Sequence, residues 1–263
     1  ISDVFASKSA DYDEKVRTTC SYCGVGCNLE ASVKNGKVVS IDTPKQTEVN
    51  AGHTCLKGRY AFGFYDHPDR LRNPLIKKNG KFEKASWDEA YDYIKNKLNK
   101  IKKENGPDAI AGISSARCTN EENYVFQKMI RAVVGTNNID CCARICHSPT
   151  AWGMQQTFGT GAATNSTEDI YFADLFLVIG ANPTNAHPVT GAKIKQQVMK
   201  GKKLIVIDPI TTDLAKLADY HIRLRPGTNV AVLNMMLYFI VKSKLYKEDF
   251  ILSRTEGFEN FLK

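Results

Sequence analysis

The sequence predicts an α/β protein in which a small β-rich domain is followed by parallel sheets covered by helices. Two observations predict this order. Four cysteines surround a hairpin pattern early in the chain, whereas strand-like and helix-like segments alternate from Trp87 onward. Such alternation is typical of parallel α/β sheets. The 263 residues, 43% of them apolar and 24% charged, are enough for two domains or one large domain.

Cysteines in the first domain follow the spacing C-x2-C-x3-C-x27-C. Three thiols from one tight loop and one distant thiol suit a [4Fe–4S] cluster, whereas a zinc ribbon normally presents two C-x2-C pairs. A zinc site or a disulfide pair is the alternative. Gly24 and Gly26 allow the loop to turn sharply. The expected cluster ligands are Cys20, Cys23, Cys27 and Cys55.

The rest of this domain contains a hairpin pattern and a lysine, Lys57, that is expected near the cluster. Alternating residues flank Asn35-Gly36, which is a strong hairpin signal. Lys57 follows Cys55 by two residues, and its ammonium group would stabilise the extra negative charge of a reduced cluster. We therefore expect a cluster domain over residues 16–72, preceded by a linker or tail over residues 1–15.

A first, partial α/β domain is expected over residues 73–140. Ser86 to Glu89 form a capping box, and the apolar residues from Ala90 to Ile101 have helical spacing. The lysines of residues 95–103 are expected on the solvated face of this helix. A buried strand over residues 108–114 and a helix over Glu121–Val134, ended by Gly135, complete the domain.

A second, partial α/β domain is expected over residues 141–263. Its predicted strands lie at 174–180, near 203–209 and from Tyr220, and a helix covers Val230–Lys242. Ligands of such sheets bind at the carboxyl ends of the strands, which here lead into loops 180–187, 208–212 and 226–229. Gly180 and Asn182 suit a phosphate at a helix N-terminus, and Asp208 suits a ribose. Because GxGxxG is absent, a nucleotide other than NAD fits better.

The stretch DCCARICHSPT, residues 140–150, holds three cysteines and a histidine directly after Cys146. A catalytic position, a second metal site and a buried apolar corner are the alternatives for it. From the residues alone, Cys118, Cys141 and Cys142 are expected to be small buried side chains.

Charge and composition argue against nucleic-acid binding and against a membrane span. The net charge of +8 comes with no zinc-finger histidine pair or aromatic–basic RNA motif, so nucleic-acid binding is not expected. The longest apolar stretch, Val230–Val241, is shorter than the roughly 20 residues that a membrane span needs. Eight cysteines without a visible signal peptide indicate a reducing, cytoplasmic location.

Together these motifs resemble the molybdenum- and tungsten-dependent bis-pterin guanine dinucleotide oxidoreductases, most closely the catalytic subunits of formate dehydrogenases. The matching stretches occur in order along the chain: the four spaced cysteines with Lys57, ARICHSP, GANPTNAHP, IDP and RPGTN. Since the family's catalytic subunits are much longer, the resemblance implies an N-terminal portion whose α/β domains are incomplete. It also implies two cofactors, a [4Fe–4S] cluster and a Mo- or W-bis(molybdopterin guanine dinucleotide).

The resemblance assigns roles to individual residues. Lys57 would lie between cluster and pterin, and Cys146 would ligate molybdenum or tungsten, for which a soft thiolate is apt. His147 would accept a proton, and Arg144 would hold nearby charge. One guanosine diphosphate arm would be bound by Gly180, Asn182, Pro183, Asn185, His187, Asp208, Pro209, Gly227, Thr228 and Asn229.

The implied activity is oxidation of formate to carbon dioxide, with electrons leaving through the cluster. The implied partners are the remainder of the catalytic subunit and an acceptor of iron–sulfur, flavin or ferredoxin type. One alternative is another family member such as nitrate reductase, against which His147 argues. The other is a non-catalytic electron-transfer subunit of a respiratory complex, against which Cys146, Lys57 and the nucleotide loops argue.

Overall fold

The computed structural model describes residues 11–262, which form two compact units. The first unit contains residues 11–22, 29–42 and 56–166, and the second contains residues 23–28, 43–55 and 167–262. The domain boundaries predicted after residues 72 and 140 stay a prediction, and residues 1–10 of the predicted tail lie outside the described residues. Over residues 11–262, each helix is too short or too polar to cross a lipid bilayer.

The first unit begins with a sheet in the order β1-β2-β3, made of β1 (Glu14–Thr19), β2 (Asn28–Lys34) and β3 (Lys37–Asp42). Strands β2 and β3 are antiparallel. Asn35 and Gly36 between them have φ angles of 50° and 73°, as the tight primed turn of a hairpin requires. The predicted hairpin is confirmed.

A second hairpin in this unit went unpredicted. Strand β4 (Leu75–Lys78) pairs antiparallel with β5 (Lys81–Lys84). The turn is again Asn-Gly, and Asn79 and Gly80 have φ angles of 50° and 81°. The same two-residue signal that revealed the first hairpin was therefore present here.

Two helices of the first unit flank this hairpin. Helix α1 (Leu56–Tyr60) precedes it and continues into a 3-10 turn, and helix α2 (Trp87–Asn105) follows it. The capping box at the start of α2 is confirmed, because the Glu89 N–H donates to Ser86 Oγ over 3.1 Å and the Ser86 N–H donates to Glu89 Oε2 over 2.7 Å. The lysines of residues 95–103 are exposed, as expected.

The first parallel pair is formed by β6 (Gly112–Ser114) and β7 (Ile139–Cys141). Between them the chain forms helix α3 (Asn120–Lys128), which continues as a π-helix over Met129–Val134. Gly135 ends the helix with a φ of 90°, so the predicted stop is confirmed.

The strand predicted over residues 108–114 is shorter than expected. Pro107–Ala109 form a 3-10 turn, because Gly106 and Pro107 favour a turn over an extended start. Only Gly112–Ser114 pair as a strand. Ile110 remains in the core, where it packs with Ile130 and Val134.

After β7 the chain forms α4 (Ala143–Cys146) and α5 (Ser148–Phe158), which Gly159 ends with a φ of 73°. The burial expected for the other cysteines near this segment was wrong. Cys118 and Cys142 are exposed, and Cys141 is only half-buried. The two exposed cysteines lie in the turns that follow β6 and β7, and such connections run over the surface.

The second unit is built on a parallel sheet in the order β10-β9-β8. Its strands are β8 (Leu175–Ile179), β9 (Lys203–Ile207) and β10 (Tyr220–Ile222). The expected parallel α/β architecture is thereby confirmed. The core on this sheet consists of Phe176, Ile194, Leu204, Val206, Leu214 and Ala215.

Helices of the second unit follow the predicted order with one difference. The loop predicted over residues 180–187 contains one short helix, α6 (Pro183–Ala186), and α7 (Pro188–Met199) follows it; a proline stands in the first turn of each. Helix α8 spans Asn229–Lys242, one residue longer than predicted. The unit ends with α9 and α10, which span Glu248–Arg254 and Phe258–Phe261.

Candidate cluster and cofactor sites

Three of the four spaced cysteines lie in the second unit. Cys27 is buried, whereas Cys23 and Cys55 are half-buried. Gly26 takes a φ of 65°, and its N–H donates to the Cys23 carbonyl over 3.4 Å. This hydrogen bond closes the sharp turn that was expected between Cys23 and Cys27. None of the cysteines, all of which lie within residues 11–262, forms a disulfide. The disulfide alternative therefore finds no support in the structure.

Asn50 organises the cysteine segments of this unit and was missed by the sequence reasoning. Its side chain is fully buried and makes hydrogen bonds to both. Oδ1 accepts from the Asn28 N–H over 2.8 Å, and Nδ2 donates to the Asn28 carbonyl over 3.2 Å and to the His53 carbonyl over 2.7 Å. Asn28 follows Cys27 and His53 precedes Cys55 by two residues, so one amide holds the backbone beside both cysteines.

The cysteine loop also approaches the histidine of the GANPTNAHP stretch. A Cβ on Gly24 would lie 3.3 Å from Nε2 of His187, so a larger residue at position 24 would press on the imidazole. A second close approach keeps that stretch compact. A Cβ on Gly191 would lie 2.7 Å from the backbone N and Cα of Thr184, which leaves no room for a side chain between α6 and α7. The predicted need for glycine at position 24 has a steric cause here.

Cys20 belongs to the first unit, directly after β1. The residues that follow it are fixed by Arg117, whose Nη1 donates to the carbonyls of Ser21 over 3.3 Å and Tyr22 over 2.9 Å. The Tyr22 hydroxyl donates to the Ala61 carbonyl over 2.8 Å. Arg117 gave no signal in the sequence, because a lone arginine 97 residues after Cys20 belongs to no recognisable spacing.

Lys57 lies in the first turn of α1 with an exposed side chain. Across residues 11–262, no group of three or more His, Cys, Asp or Glu side chains stands close enough to hold a metal ion. The structure thus places Cys23, Cys27 and Cys55 in one unit without gathering their thiols into a metal-binding geometry. The donor set still suits iron, since thiolates are the ligands of [4Fe–4S] clusters and the zinc-ribbon pairing of two C-x2-C knuckles is absent.

Cys146 ends α4, just beyond the carboxyl end of β7, and His147 follows as the residue that separates α4 from α5. Both side chains are exposed. Arg144 donates through Nε to Asp140 Oδ2 over 2.7 Å. This hydrogen bond lowers the pKa of Asp140 below its ordinary value and raises the pKa of Arg144. The charge that Arg144 would offer to a ligand is therefore already balanced in part.

A polar cavity opens at the carboxyl ends of β6 and β7. Its lining includes Ser114, Asn123, Asp140, Cys141 and Arg144. Ser114 Oγ and Asn123 Oδ1 are 2.5 Å apart within it. This is the edge of a parallel sheet at which ligands bind.

The nucleotide loops of the second unit lie at the carboxyl ends of β8, β9 and β10. Gly180 and Gly227 have φ angles of 55° and 87°, and a Cβ on either would meet no described atom within 4 Å. Asp208 is buried, with Oδ1 accepting from the Ile210 N–H over 2.8 Å. His221 Nε2 lies 2.9 Å from the Asp208 carbonyl oxygen.

Open glycines beside a fixed carboxylate leave space and a polar partner for a nucleotide. The other predicted ligands are partly engaged locally: Asn182 Oδ1 accepts from the Thr184 hydroxyl over 2.6 Å, and the Thr228 hydroxyl donates to the Arg225 carbonyl over 2.7 Å. Pro183, Asn185 and His187 lie in or beside α6, a single helical turn within the predicted loop. Pro209 follows Asp208, and Asn229 begins α8.

Two protein families match consecutive stretches of this chain. A family described as "Molybdopterin oxidoreductase Fe4S4 domain" matches residues 13–67, and a family described as "Molybdopterin oxidoreductase" matches residues 70–260. The chain belongs to the molybdopterin oxidoreductase family. Its cofactors are accordingly a [4Fe–4S] cluster and a molybdenum- or tungsten-pterin, as the resemblance implied.

Within this family, the chain is similar to several individual proteins. The chain is 48% identical over 244 residues to "F420-dependent formate dehydrogenase 1 subunit alpha" of Methanococcus maripaludis, covering 93% of this chain and 36% of that protein. It is 44% identical over 257 residues to "Formate dehydrogenase H" of Escherichia coli, covering 95% of this chain and 36% of that protein. Among solved structures, acetylene hydratase from Pelobacter acetylenicus superposes with a TM-score of 0.74 at 28% identity, over 94% of this chain and 34% of that one. The chain thus spans about a third of the length of these relatives.

Proposed function

We propose that this chain is the N-terminal part of the catalytic subunit of a molybdenum- or tungsten-dependent formate dehydrogenase. Identity of 44–48% to formate dehydrogenase subunits over more than nine-tenths of the chain is the observation that carries this proposal. The site chemistry agrees with it. A thiol and an imidazole stand next to each other at Cys146 and His147, at the ligand-binding edge of a parallel sheet.

The proposed cluster ligands are Cys20, Cys23, Cys27 and Cys55. The hydrogen bonds of Asn50 hold the backbone on either side of the gap between Cys27 and Cys55, and those of Arg117 hold the residues after Cys20. Backbone that is fixed in this way needs less ordering when the thiolates bind iron. Lys57 projects into solvent two residues after Cys55, where its charge would favour the reduced cluster.

At the catalytic position, Cys146 provides a soft thiolate for the metal. His147 would take the proton that is released when formate becomes carbon dioxide, a proton and two electrons, because a neutral imidazole nitrogen is a proton acceptor. Arg144 lies two residues before Cys146, and the part of its charge that Asp140 leaves unbalanced would favour an anionic substrate. The bound metal–pterin centre supplies the two-electron acceptor for this reaction.

The guanosine diphosphate arm is proposed to lie across the loops after β8, β9 and β10. Gly180 and Gly227 leave room for phosphates, and Asp208 offers its second carboxylate oxygen to a ribose hydroxyl. Cys20, Cys23, Cys27 and Cys55 would hold the cluster, which would supply electron transfer to an acceptor of iron–sulfur, flavin or ferredoxin type. A cytoplasmic location remains part of the proposal, supported by eight cysteines without a disulfide within residues 11–262.

The likeness to acetylene hydratase shows that this fold also serves a different reaction. Its identity of 28% is well below the 48% to a formate dehydrogenase subunit, so sequence favours formate. Nitrate reductase remains the other alternative within the family. A direct comparison of the three substrates on the complete enzyme separates these functions.

The test measures formate-dependent dye reduction by the anaerobically purified complete enzyme, beside nitrate reduction and acetylene hydration. Cys146→Ser should abolish formate oxidation, because serine replaces a soft thiolate by a hard hydroxyl. Cys118→Ser is the matched control, since Cys118 is also exposed in the same unit and should leave the rate unchanged. Turnover of nitrate or acetylene instead of formate would overturn the proposal.

A further inference from the structure

A lysine of the second unit is buried where a charge is costly. Lys193 lies in the middle of α7, and only 3% of its surface is exposed. No carboxylate within residues 11–262 forms an ion pair with it. Burial of an ammonium group is strongly unfavourable unless hydrogen bonds compensate for the lost water. Such a residue is rarely kept for packing alone, because a methionine would fill the same space.

The contacts of Lys193 show where its head group is directed. Nζ donates to the Val49 carbonyl over 2.8 Å. It also lies 5.3 Å from the centre of the Tyr171 ring, at cation–π distance. The lysine therefore reaches from the helix that covers the nucleotide-binding sheet to the segment of residues 43–55, and both belong to the same compact unit.

The carbonyl that accepts this bond is close to the proposed cluster ligands. Val49 precedes Asn50, whose amide binds the backbone at Asn28 and His53. A hydrogen bond to the Val49 carbonyl thus holds the backbone directly before Asn50, whose side chain binds the segments of Cys27 and Cys55. The segment of residues 43–55 forms turns but no helix or strand, so side-chain bonds such as those of Asn50 and Lys193 join it to the rest of the unit.

We propose that Lys193 is a positioning residue that anchors the segment of residues 43–55 to the nucleotide-binding sheet and so fixes the approach of Cys55 to the iron–sulfur cluster. Through it, the sheet that carries the pterin loops also supports the cluster segment. The anchoring is independent of the metal, whereas its effect on the cluster rests on the proposed role of Cys55.

The test replaces Lys193 by methionine in the complete enzyme, which keeps the volume and removes the donor. Amide hydrogen exchange of residues 43–55 should become about tenfold faster, as expected for loss of one hydrogen bond to a charged group. Iron loss to a chelator should accelerate alongside it. Exchange of β8 and β9 should stay unchanged, which separates anchoring from general unfolding.

Lys195→Met is the matched control, because Lys195 lies on the same helix and pairs at the surface with Asp213 over 3.8 Å. It should leave exchange and iron release as in the parent enzyme, and Lys193→Arg should restore most of the protection. Unchanged exchange at residues 43–55 in Lys193→Met, or equal acceleration throughout the sheet, would overturn the proposal. Absence of iron from the parent enzyme would instead refute the cluster assignment. The hydrogen-exchange result would then still test whether Lys193 anchors residues 43–55.

Discussion

Replacement of Asn50 by alanine should loosen the cysteine segments more than any surface change. The side chain is fully buried and forms three hydrogen bonds to backbone groups of Asn28 and His53. At about 1 kcal/mol for each bond, their loss amounts to about 3 kcal/mol. Asn50 Oδ1 also accepts from the Thr47 hydroxyl over 3.1 Å, and the loss of this bond adds to the cost.

Asn50→Asp tests the same network with an isosteric side chain. One of its oxygens would face the Asn28 and His53 carbonyls, where the amide now donates over 3.2 and 2.7 Å. Two acceptors in contact repel each other, so this variant should be at least as unstable as Asn50→Ala at neutral pH. Its stability should partly recover in acid, where protonation restores one donor.

Chemical unfolding and amide exchange measure both effects. Exchange protection over residues 23–28 and 43–55 should fall with the free energy of unfolding, and Asn96→Ala, an exposed asparagine of α2, serves as the control. A loss below about 1 kcal/mol in Asn50→Ala would refute the reasoning, since it would mean that water replaces the three bonds at no cost.

Three further predictions concern the framework around the sites. Gly191→Ala should lower the melting temperature, because its Cβ would lie 2.7 Å from the backbone of Thr184. Ser86→Ala should reduce stability by about 1 kcal/mol in chemical unfolding, through loss of the helix cap. The carboxyl group of Asp140 should titrate below 3.8 by NMR, and Arg144→Gln should raise that midpoint. Because folding lowers this pKa, the pair stabilises the fold at neutral pH, and the contribution is lost as the pH falls from 3.8 through the folded-state pKa.

A control variant and two contradicting outcomes test these predictions. Gly153→Ala lies within α5, where a Cβ would meet no described atom within 4 Å, so it should stabilise by roughly 0.5–1 kcal/mol. Equal melting temperatures for Gly191→Ala and Gly153→Ala would contradict the steric account of α6 and α7. An Asp140 midpoint that ignores Arg144→Gln would show that the ion pair does not form in solution.

Sequence patterns predicted what depends on local chemistry. The Asn35-Gly36 hairpin, the Ser86 capping box and the parallel strands of the second unit follow from turn preferences, side-chain caps and apolar runs. The single turn of α6 inside the loop of residues 180–187 was not predicted, although Pro183 marked a possible helix start.

Long-range contacts could not be predicted in the same way. Lys193 bonds to a carbonyl 144 residues earlier in the chain, and Arg117 bonds to one 95 residues earlier. Lysine and arginine usually face solvent, so nothing in their neighbours marked these two as buried or structural. The prediction for Cys118 and Cys142 was wrong in the opposite direction: both lie in turns after short strands, where residue type alone does not determine burial.

The most direct test of the central claim is EPR of the complete, anaerobically purified enzyme before and after addition of formate. Roughly four irons per chain with molybdenum or tungsten should be present, and formate alone should produce the reduced-cluster signal. The same signal should be absent in Cys146→Ser, although dithionite still reduces its cluster. A cluster that dithionite reduces but formate leaves oxidised in the parent enzyme would contradict the account, and zinc in place of iron would contradict it at its foundation.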